Sequence, residues 1–242
     1  AVPADSAIQS PAELRGKSIG VTSLASAGVV VARAQVAAAG LDPARDVQIV
    51  VAGEGAQTAA MMRNRQVDAL SQFDTQYAMV ENAGVRVRYL DRRDIERFPG
   101  NGFLASEETL KTRRKELIGF ARSYAKGTIF TIANPEAAVR IVYEMFPQTK
   151  PTGKDEATAV REDIKVLEAR MPHYKLEPAG VKRWGESSET NYRDYVDFLV
   201  KWSVITQKVP TGDLITNEMI DEINRMDPAK IAAEAAAYRY SR

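Results

Sequence analysis

The stretch ELRGKSIGVTSLASAG, residues 13–28, decides the fold that we predict for this chain. A polar loop leads into a short apolar strand at 18–21, and the strand gives way to a turn that contains Thr22, Ser23 and Ser26. A long helix rich in alanine and valine follows this turn. Strands followed by helices are typical of α/β proteins, which bind ligands at the carboxyl ends of their strands. The three hydroxyls therefore mark a candidate binding site.

The alternation of strand and helix continues over the first hundred residues. Short apolar runs bounded by turn residues predict further strands at 47–51, 67–70 and 86–90. Helical periodicity and helix-stop residues predict helices at 26–39, 56–65 and 75–83. This order indicates right-handed βαβ units on a mainly parallel sheet.

The rest of the chain is predicted to be almost wholly helical. One more strand, NGFLA at 101–105, precedes a helix over 113–132. An apolar stripe on that helix is predicted from the spacing of Leu117, Phe120, Ala121, Tyr124 and Ala125. Asn134 and Pro135 predict the start of the next helix as N-cap and first helical residue. Further helices are predicted at 155–170, 189–206, 216–225 and 228–238. The strand at 101–105 has no sheet to join in this half of the sequence.

The composition excludes several classes of function. The chain has 242 residues, of which 45% are apolar and 27% charged, which is typical of a globular protein. A net charge of +1 argues against general binding to nucleic acid, which needs a clustered basic surface. There is no cysteine, and no apolar run reaches the roughly 18 residues of a membrane span. The single histidine, His173, follows a helical pattern, so we expect no catalytic triad, no metal site and no cofactor.

Four stretches, spread over the whole chain, carry a resemblance to a known family. They are DSAIQSPAELRGKSIGV at 5–21, GLDPARDVQIV at 40–50, RQVDAL at 65–70 and LITNEMIDEINRMD at 214–227. The amino-acid sequences of these stretches and their order along the chain resemble those of the periplasmic solute-binding proteins of the nitrate, sulfonate, taurine and thiamine-precursor group. The resemblance implies an α/β protein of the type II periplasmic-binding fold, here one βαβ lobe plus a mainly helical remainder of the other lobe. It also implies a periplasmic partner of an ABC importer rather than an enzyme.

Members of that group begin with a βαβ segment that precedes the part matching residues 1–10 of this chain. The resemblance therefore implies that the N-terminal part of lobe one is absent here or comes from a second chain. It assigns 1–9 to a hinge crossing, 10–98 to lobe two, 99–105 to the return hinge strand and 106–242 to the helical C-terminal part of lobe one. The chain starts at Ala1 without methionine, and we interpret this as a processed or truncated start.

The first predicted strand end carries the most hydroxyls. The side chains of Thr22, Ser23 and Ser26, together with free N–H groups at the helix start, are suited to a carboxylate or sulfonate. The alternative is purely structural, because a serine or threonine before a helix usually caps it. We expect one of the three hydroxyls to serve as that cap and the others to be available to a ligand.

The second and third strand ends carry amide, aromatic and acidic side chains. Glycines beside Gln57 allow a ligand to approach the backbone, although a tight turn needs them equally. Gln72 is expected to orient a ligand, and Phe73 either stacks on a planar ligand or belongs to the core. Asp74 either caps the helix at 75–83 or faces the ligand, which would then need an amine, hydroxyl or ring N–H. The carboxylate of Asp68 is assigned to a turn or salt bridge and to no chemistry.

These residues favour a binding protein that captures a small polar or anionic organic solute between two lobes and delivers it to an ABC permease in the membrane. Asn101 and Gly102, at the predicted return crossing, are expected to contact that solute. An enzyme on the same fold is one alternative, although no cysteine and only one histidine are present to serve it. A helical domain that binds a protein partner is the other.

Overall fold

The computed structural model describes residues 1–93 and 95–240. The chain divides into two compact units, the first made of 1–98 and 193–209 and the second of 99–192 and 210–242. Residues 193–209, which the sequence assigned to the helical C-terminal part, thus group with the βαβ segment. The assignment of hinge crossings and lobes stays a prediction.

The first unit contains a small parallel sheet and the helices that cover it. Its elements are β1 (Val2–Pro3), β2 (Lys17–Val21), α1 (Ala27–Ala38), β3 (Val47–Val51), α2 (Gly55–Arg63), β4 (Ala69–Leu70), α3 (Asp74–Asn82) and β5 (Val87–Arg88). Most of α8 (Glu189–Lys201) also belongs to this unit. The strands predicted at 18–21 and 47–51 are confirmed as β2 and β3, whereas the strand predicted at 67–70 is only two residues long.

The strand order of the sheet is β3-β2-β4, and all pairs are parallel, as the βαβ pattern predicted. Ile19 of the central strand lies beside Ile49 on one side and Ala69 on the other. Gly20 follows, and a Cβ there would come within 2.9 Å of both Ala52 and Leu70. A side chain at Gly20 would therefore push apart the residues that pack over the middle of the sheet.

The strand predicted at 86–90 is shorter than expected and does not extend the parallel sheet. It is reduced to β5, which pairs antiparallel with β1 through Val2 opposite Arg88. The reason is that the edge beside β4 is already taken, since Ala1 and Leu70 exchange two backbone hydrogen bonds of 2.7 Å.

The core of the first unit lies on both faces of the sheet, as in other α/β layers. On one face, Ile19 and Ala69 pack against Ala32 and Val36 of α1. On the other face, the residues that pack together come from the residue just after β3, from β4 and the residues before it, and from α2 and α3: Ala52, Ala59, Met62, Val67, Leu70, Tyr77 and Val80. The helices thereby fix the position of each strand end.

Asp68 has the structural role that its sequence position predicted. Its Oδ2 accepts hydrogen bonds from the backbone N–H of Ser18 at 2.9 Å and from the Ser18 hydroxyl at 3.0 Å. Lys17 lies 3.9 Å away as a partly exposed ion-pair partner. The carboxylate thus holds the start of β2 to the start of β4, at the end of the sheet opposite the candidate site.

The second unit is helical throughout its regular structure. Its elements are α4 (Glu107–Thr112), α5 (Arg114–Ala133), α6 (Pro135–Met145), α7 (Glu156–Arg170), α9 (Ile220–Ile223) and α10 (Pro228–Ala237). The helix predicted at 216–225 is reduced to the four residues of α9, and α8 ends at Lys201 rather than at 206.

The strand predicted at 101–105 is wrong, because all of these residues are described and none is in a strand. Phe103 instead packs edge-on against Phe120 and Tyr124, with ring centroids 4.9 Å apart in both pairs. Leu104 is 99% exposed. A run of apolar residues long enough for a strand has here become a loop that covers two aromatic rings.

The apolar stripe predicted on α5 is also partly wrong. Ala125 is buried as expected, but Phe120 and Tyr124 remain more than half exposed. The buried face runs through Ile118, Ala125 and Ile129, and Ile118 packs against α9. Two apolar rows share this helix, and the sequence pattern alone does not show which of them is covered.

Candidate ligand site at the strand ends

Three strand ends lie side by side in the first unit because the strands are parallel and adjacent. Val21 ends the central strand, and Val51 and Leu70 end its two neighbours. The carboxyl edge of such a sheet is the usual ligand site of α/β proteins. All predicted site residues from Thr22 to Asp74 lie in the turns or first helical residues that follow these strands.

The first turn differs from its prediction in one respect. Ser26 occupies the N-cap position of α1, but its hydroxyl makes no cap bond and donates instead to the carbonyl of Ser23 at 2.7 Å. Ser23 is exposed, and Thr22 and Ser26 are half-buried. The N-cap side chain therefore accepts no hydrogen bond from the first turn of α1.

The second turn brings a carboxamide over a glycine. Gly53 has a φ of +65°, a conformation that favours glycine, and a Cβ there would lie 2.5 Å from Oε1 of Gln57. Gln57 itself is exposed at the start of α2. The turn is anchored by Thr58, which is fully buried and donates its hydroxyl to the carbonyl of Ala52 at 3.0 Å. As in α1, no side chain caps α2 at Glu54.

The third turn is tied directly to the second by Gln72. Its Nε2 donates to the carbonyl of Gly53 at 2.8 Å. Its Oε1 is buried and has no hydrogen-bond partner within the described part of the chain. Because Nε2 must face the Gly53 carbonyl, the amide orientation is fixed and the unsatisfied atom is an acceptor. Native proteins rarely leave a buried acceptor without a donor.

The N-cap position of α3, which the sequence offered to Asp74, is occupied by Phe73. Phe73 is the N-cap residue of α3, where its N–H donates to Oε1 of Gln76 at 2.9 Å. Asp74 is the first helical residue rather than the cap, and its Oδ1 accepts from the N–H of Thr75. Phe73 is 38% exposed at this edge of the sheet, so it does not belong to the core.

The buried side chain of Tyr77 holds the third turn in place by hydrogen bonds. Its hydroxyl accepts a hydrogen bond from the N–H of Gln72 at 2.9 Å and donates to the carbonyl of Leu70 at 3.3 Å. Burial raises the pKa of Tyr77 to about 12, so the hydroxyl keeps its proton at neutral pH. The backbone around Gln72 therefore rests on a neutral, buried phenol.

Two residues that the sequence analysis did not single out join the first and third turns. A Cβ on Gly28 would collide with the carbonyl oxygen of Ser71, and the Ser71 hydroxyl donates to the carbonyl of Gly28 at 2.8 Å. The signal was available, because a glycine inside an alanine- and valine-rich helix weakens that helix unless packing requires it.

The structure thus brings the predicted residues of the three turns together at one edge of one sheet. Asn101 and Gly102 lie in the second unit, in the exposed loop before α4, and their contact with a solute stays a prediction. Among the described residues, no group of three or more acidic, histidine or cysteine side chains is placed to hold a metal ion. None of the helices in the described ranges is long and apolar enough to cross a membrane.

The family model described as NMT1/THI5 like matches residues 1–138, more than half of the chain. The protein is a member of the NMT1/THI5-like family. The match includes residues 1–98 of the first unit and therefore all three strand-end turns. No curated protein matches the chain.

One solved structure shows the fold of this chain. The chain is similar to the periplasmic aliphatic sulphonate binding protein SsuA from Escherichia coli, with a TM-score of 0.54 and 18% identity over 89% of this chain. The chain spans 64% of the length of that protein. A protein from Bordetella bronchiseptica RB50 has 21% identity over 95% of this chain and 67% of its own length, with a TM-score of 0.35. The likeness to the first structure confirms the predicted α/β, type II periplasmic-binding fold.

Proposed function

We propose that this NMT1/THI5-like protein is the solute-binding component of an ABC-type importer and captures a small polar or anionic organic solute at the three strand ends of its first unit. In this role it acts in the periplasm, passes the solute to a membrane permease and carries out no chemical step. The fold shared with the E. coli sulfonate-binding protein supports this role.

The observation that carries the proposal is that two helices without a side-chain cap, α1 and α2, begin next to each other at one edge of the sheet. In the second unit, the side chains of Ser106, Asn134, Asp155 and Asp227 each accept a hydrogen bond from the N3 amide of the helix they precede, whereas α5 and α9 begin without a side-chain cap. At the strand ends, neither α1 nor α2 has such a side-chain cap. Amide N–H groups at a helix start need an acceptor, and an anionic group is well suited to that position.

The polar side chains around these helix starts supply the rest of a small binding surface. Ser23 offers an exposed hydroxyl, Gln57 an exposed carboxamide and Phe73 a partly exposed ring. The buried Oε1 of Gln72 adds an acceptor that a donor from solute or water would satisfy. Small-molecule sites usually contain a few convergent polar groups beside an apolar surface.

Isothermal titration calorimetry with ethanesulfonate, taurine, nitrate and acetate tests this proposal. We expect at least one of these anions to bind the wild-type protein. The double variant Ser23→Ala/Ser26→Ala should then bind it more weakly by about 1–3 kcal/mol, because the anion loses the Ser23 hydroxyl donor and the turn loses the hydrogen bond from Ser26 to the Ser23 carbonyl.

Ser106→Ala is the matched control for this experiment, because it removes a serine that caps a helix in the second unit. It should leave the affinity unchanged. Equal affinity of the wild-type protein and the Ser23→Ala/Ser26→Ala variant would contradict the assignment of these hydroxyls to the solute.

A further inference from the structure

Gly28 occupies a position where the backbone conformation does not demand glycine. It is the second residue of α1, within regular helix, and alanine would normally be the better residue there. What excludes a side chain is the carbonyl oxygen of Ser71, which a Cβ on Gly28 would strike. The glycine is therefore explained by a contact between α1 and the turn after β4, and not by the backbone conformation at Gly28.

Ser71 is held on two sides at this contact. Its N–H donates to the carbonyl of Gly20 at 2.9 Å, and its hydroxyl donates to the carbonyl of Gly28 at 2.8 Å. The next residue, Gln72, donates to the carbonyl of Gly53 in the second turn. A continuous set of contacts thus runs from α1 through Ser71 and Gln72 to Gly53 and fixes the three strand ends relative to one another.

We infer that Gly28 is a positioning residue, whose missing side chain lets the start of α1 close onto Ser71 and sets the spacing between the α1 amides and the third turn. The inference rests on the proposed function, because this spacing matters to a solute held by both turns. Binding groups that are fixed in advance lose less freedom when the solute arrives, so a displaced helix start lowers affinity even when the protein stays folded.

The test compares Gly28→Ala with Gly119→Ala, in binding of ethanesulfonate, taurine and nitrate. A Cβ on Gly119, in α5 of the second unit, meets nothing within 4 Å, so this variant makes the same substitution without a collision. Affinity is measured by calorimetry at a temperature where circular dichroism shows each variant fully folded. We expect Gly28→Ala to weaken binding at least tenfold and Gly119→Ala to leave it within twofold of the wild type.

The readout separates positioning from a purely structural role. A residue that only stabilises the fold would lower the melting temperature and leave the dissociation constant of the folded protein unchanged. If the wild type binds a probe and Gly28→Ala binds it equally well, the inference is wrong and the proposed function stands. If the wild type binds none of the three probes, the proposed function is contradicted for these anions, and the positioning role falls with it.

Ser71→Ala keeps the test decisive if Gly28→Ala does not fold. This variant removes only the hydroxyl that donates to the Gly28 carbonyl and leaves the close approach of the two backbones intact. We expect a loss of affinity of at least threefold. Unchanged affinity in a folded Ser71→Ala protein would overturn the inference.

Discussion

At the scale of single residues, the candidate site depends on buried side chains that support its turns as well as on the side chains at its surface. Thr58 and Tyr77 are buried, and each holds a strand-end backbone group by a hydroxyl hydrogen bond. Side chains that face a solute are exposed by necessity, and their conformations depend on it. We therefore expect substitutions of the supporting residues to change the stability of the fold.

Tyr77 gives a prediction for alkaline pH. Its pKa is about 12 in the folded protein, whereas a tyrosine in an unfolded chain titrates near pH 10. Above pH 10 the unfolded chain loses this proton first, so the contribution of Tyr77 is fully present below pH 10 and is lost as the pH rises towards 12. Urea unfolding at a series of pH values should show a Tyr77→Phe variant that is destabilised by about 1–2 kcal/mol at pH 7, with a difference from wild type that shrinks above pH 10.

The control for this series is Tyr124→Phe, since Tyr124 lies more than half exposed in the second unit. We expect it to change the free energy of unfolding by no more than about 0.5 kcal/mol at neutral pH. A gap between Tyr77→Phe and wild type that stays constant from pH 7 to 12 would show that the phenol is not the group that titrates.

At the scale of elements, helix starts with and without a side-chain cap differ in what their N-cap residue contributes, and two serines allow a matched comparison. Ser106 accepts a hydrogen bond from the N–H of Thr109 at 3.1 Å, whereas Ser26 makes no cap bond. We expect Ser106→Ala to lower the free energy of unfolding by about 1 kcal/mol and Ser26→Ala to change it by less than about 0.5 kcal/mol. Chemical denaturation of both variants measures this, and a loss at Ser26 as large as the loss at Ser106 would mean that Ser26 does cap its helix.

Most elements could be predicted from local pattern, and the failures have physical reasons. The parallel strands at 17–21 and 47–51 are short, mainly apolar segments with turn residues after them, and both were predicted closely. The strand at 101–105 failed because a short apolar run specifies neither burial nor a partner: all five residues are exposed, and Phe103 contacts two aromatic rings rather than a sheet. The stripe on α5 failed for the same reason, since Phe120 and Tyr124 follow a helical row that is not the buried one.

The site was predictable in its location but not in its internal bonding. Parallel strands followed by helices place their turns at one edge of a sheet, so the nearness of Ser23, Gln57 and Gln72 follows from the strand order. That Ser26 bonds to Ser23 instead of capping α1, or that Gln72 reaches Gly53, depends on distances between turns far apart in sequence. The contact at Gly28 is the exception, because the glycine within a helical sequence pattern indicates it.

At the scale of the whole molecule, each unit contains one of the two tryptophans, which makes the location of binding measurable. Trp202 belongs to the first unit and Trp184 to the second. In a Trp184→Phe variant, fluorescence reports on the first unit, and a bound anion at 100 times its dissociation constant should stabilise that unit by about 2.7 kcal/mol. A Trp202→Phe variant reports on the second unit and serves as the comparison. A transition of Trp202 that does not move with bound anion would contradict a site in the first unit.

The most direct test of the proposed site is a nitrogen–proton NMR titration of the isotope-labelled chain with ethanesulfonate. The account predicts that the amide signals that shift most belong to the three strand-end turns, at 22–28, 53–57 and 71–75. The helix-start amides of Ala27, Gly28, Gly55 and Ala56 should be among the largest shifts, because no side chain caps these helices. Shifts concentrated elsewhere, or none at concentrations up to 10 mM, would contradict it.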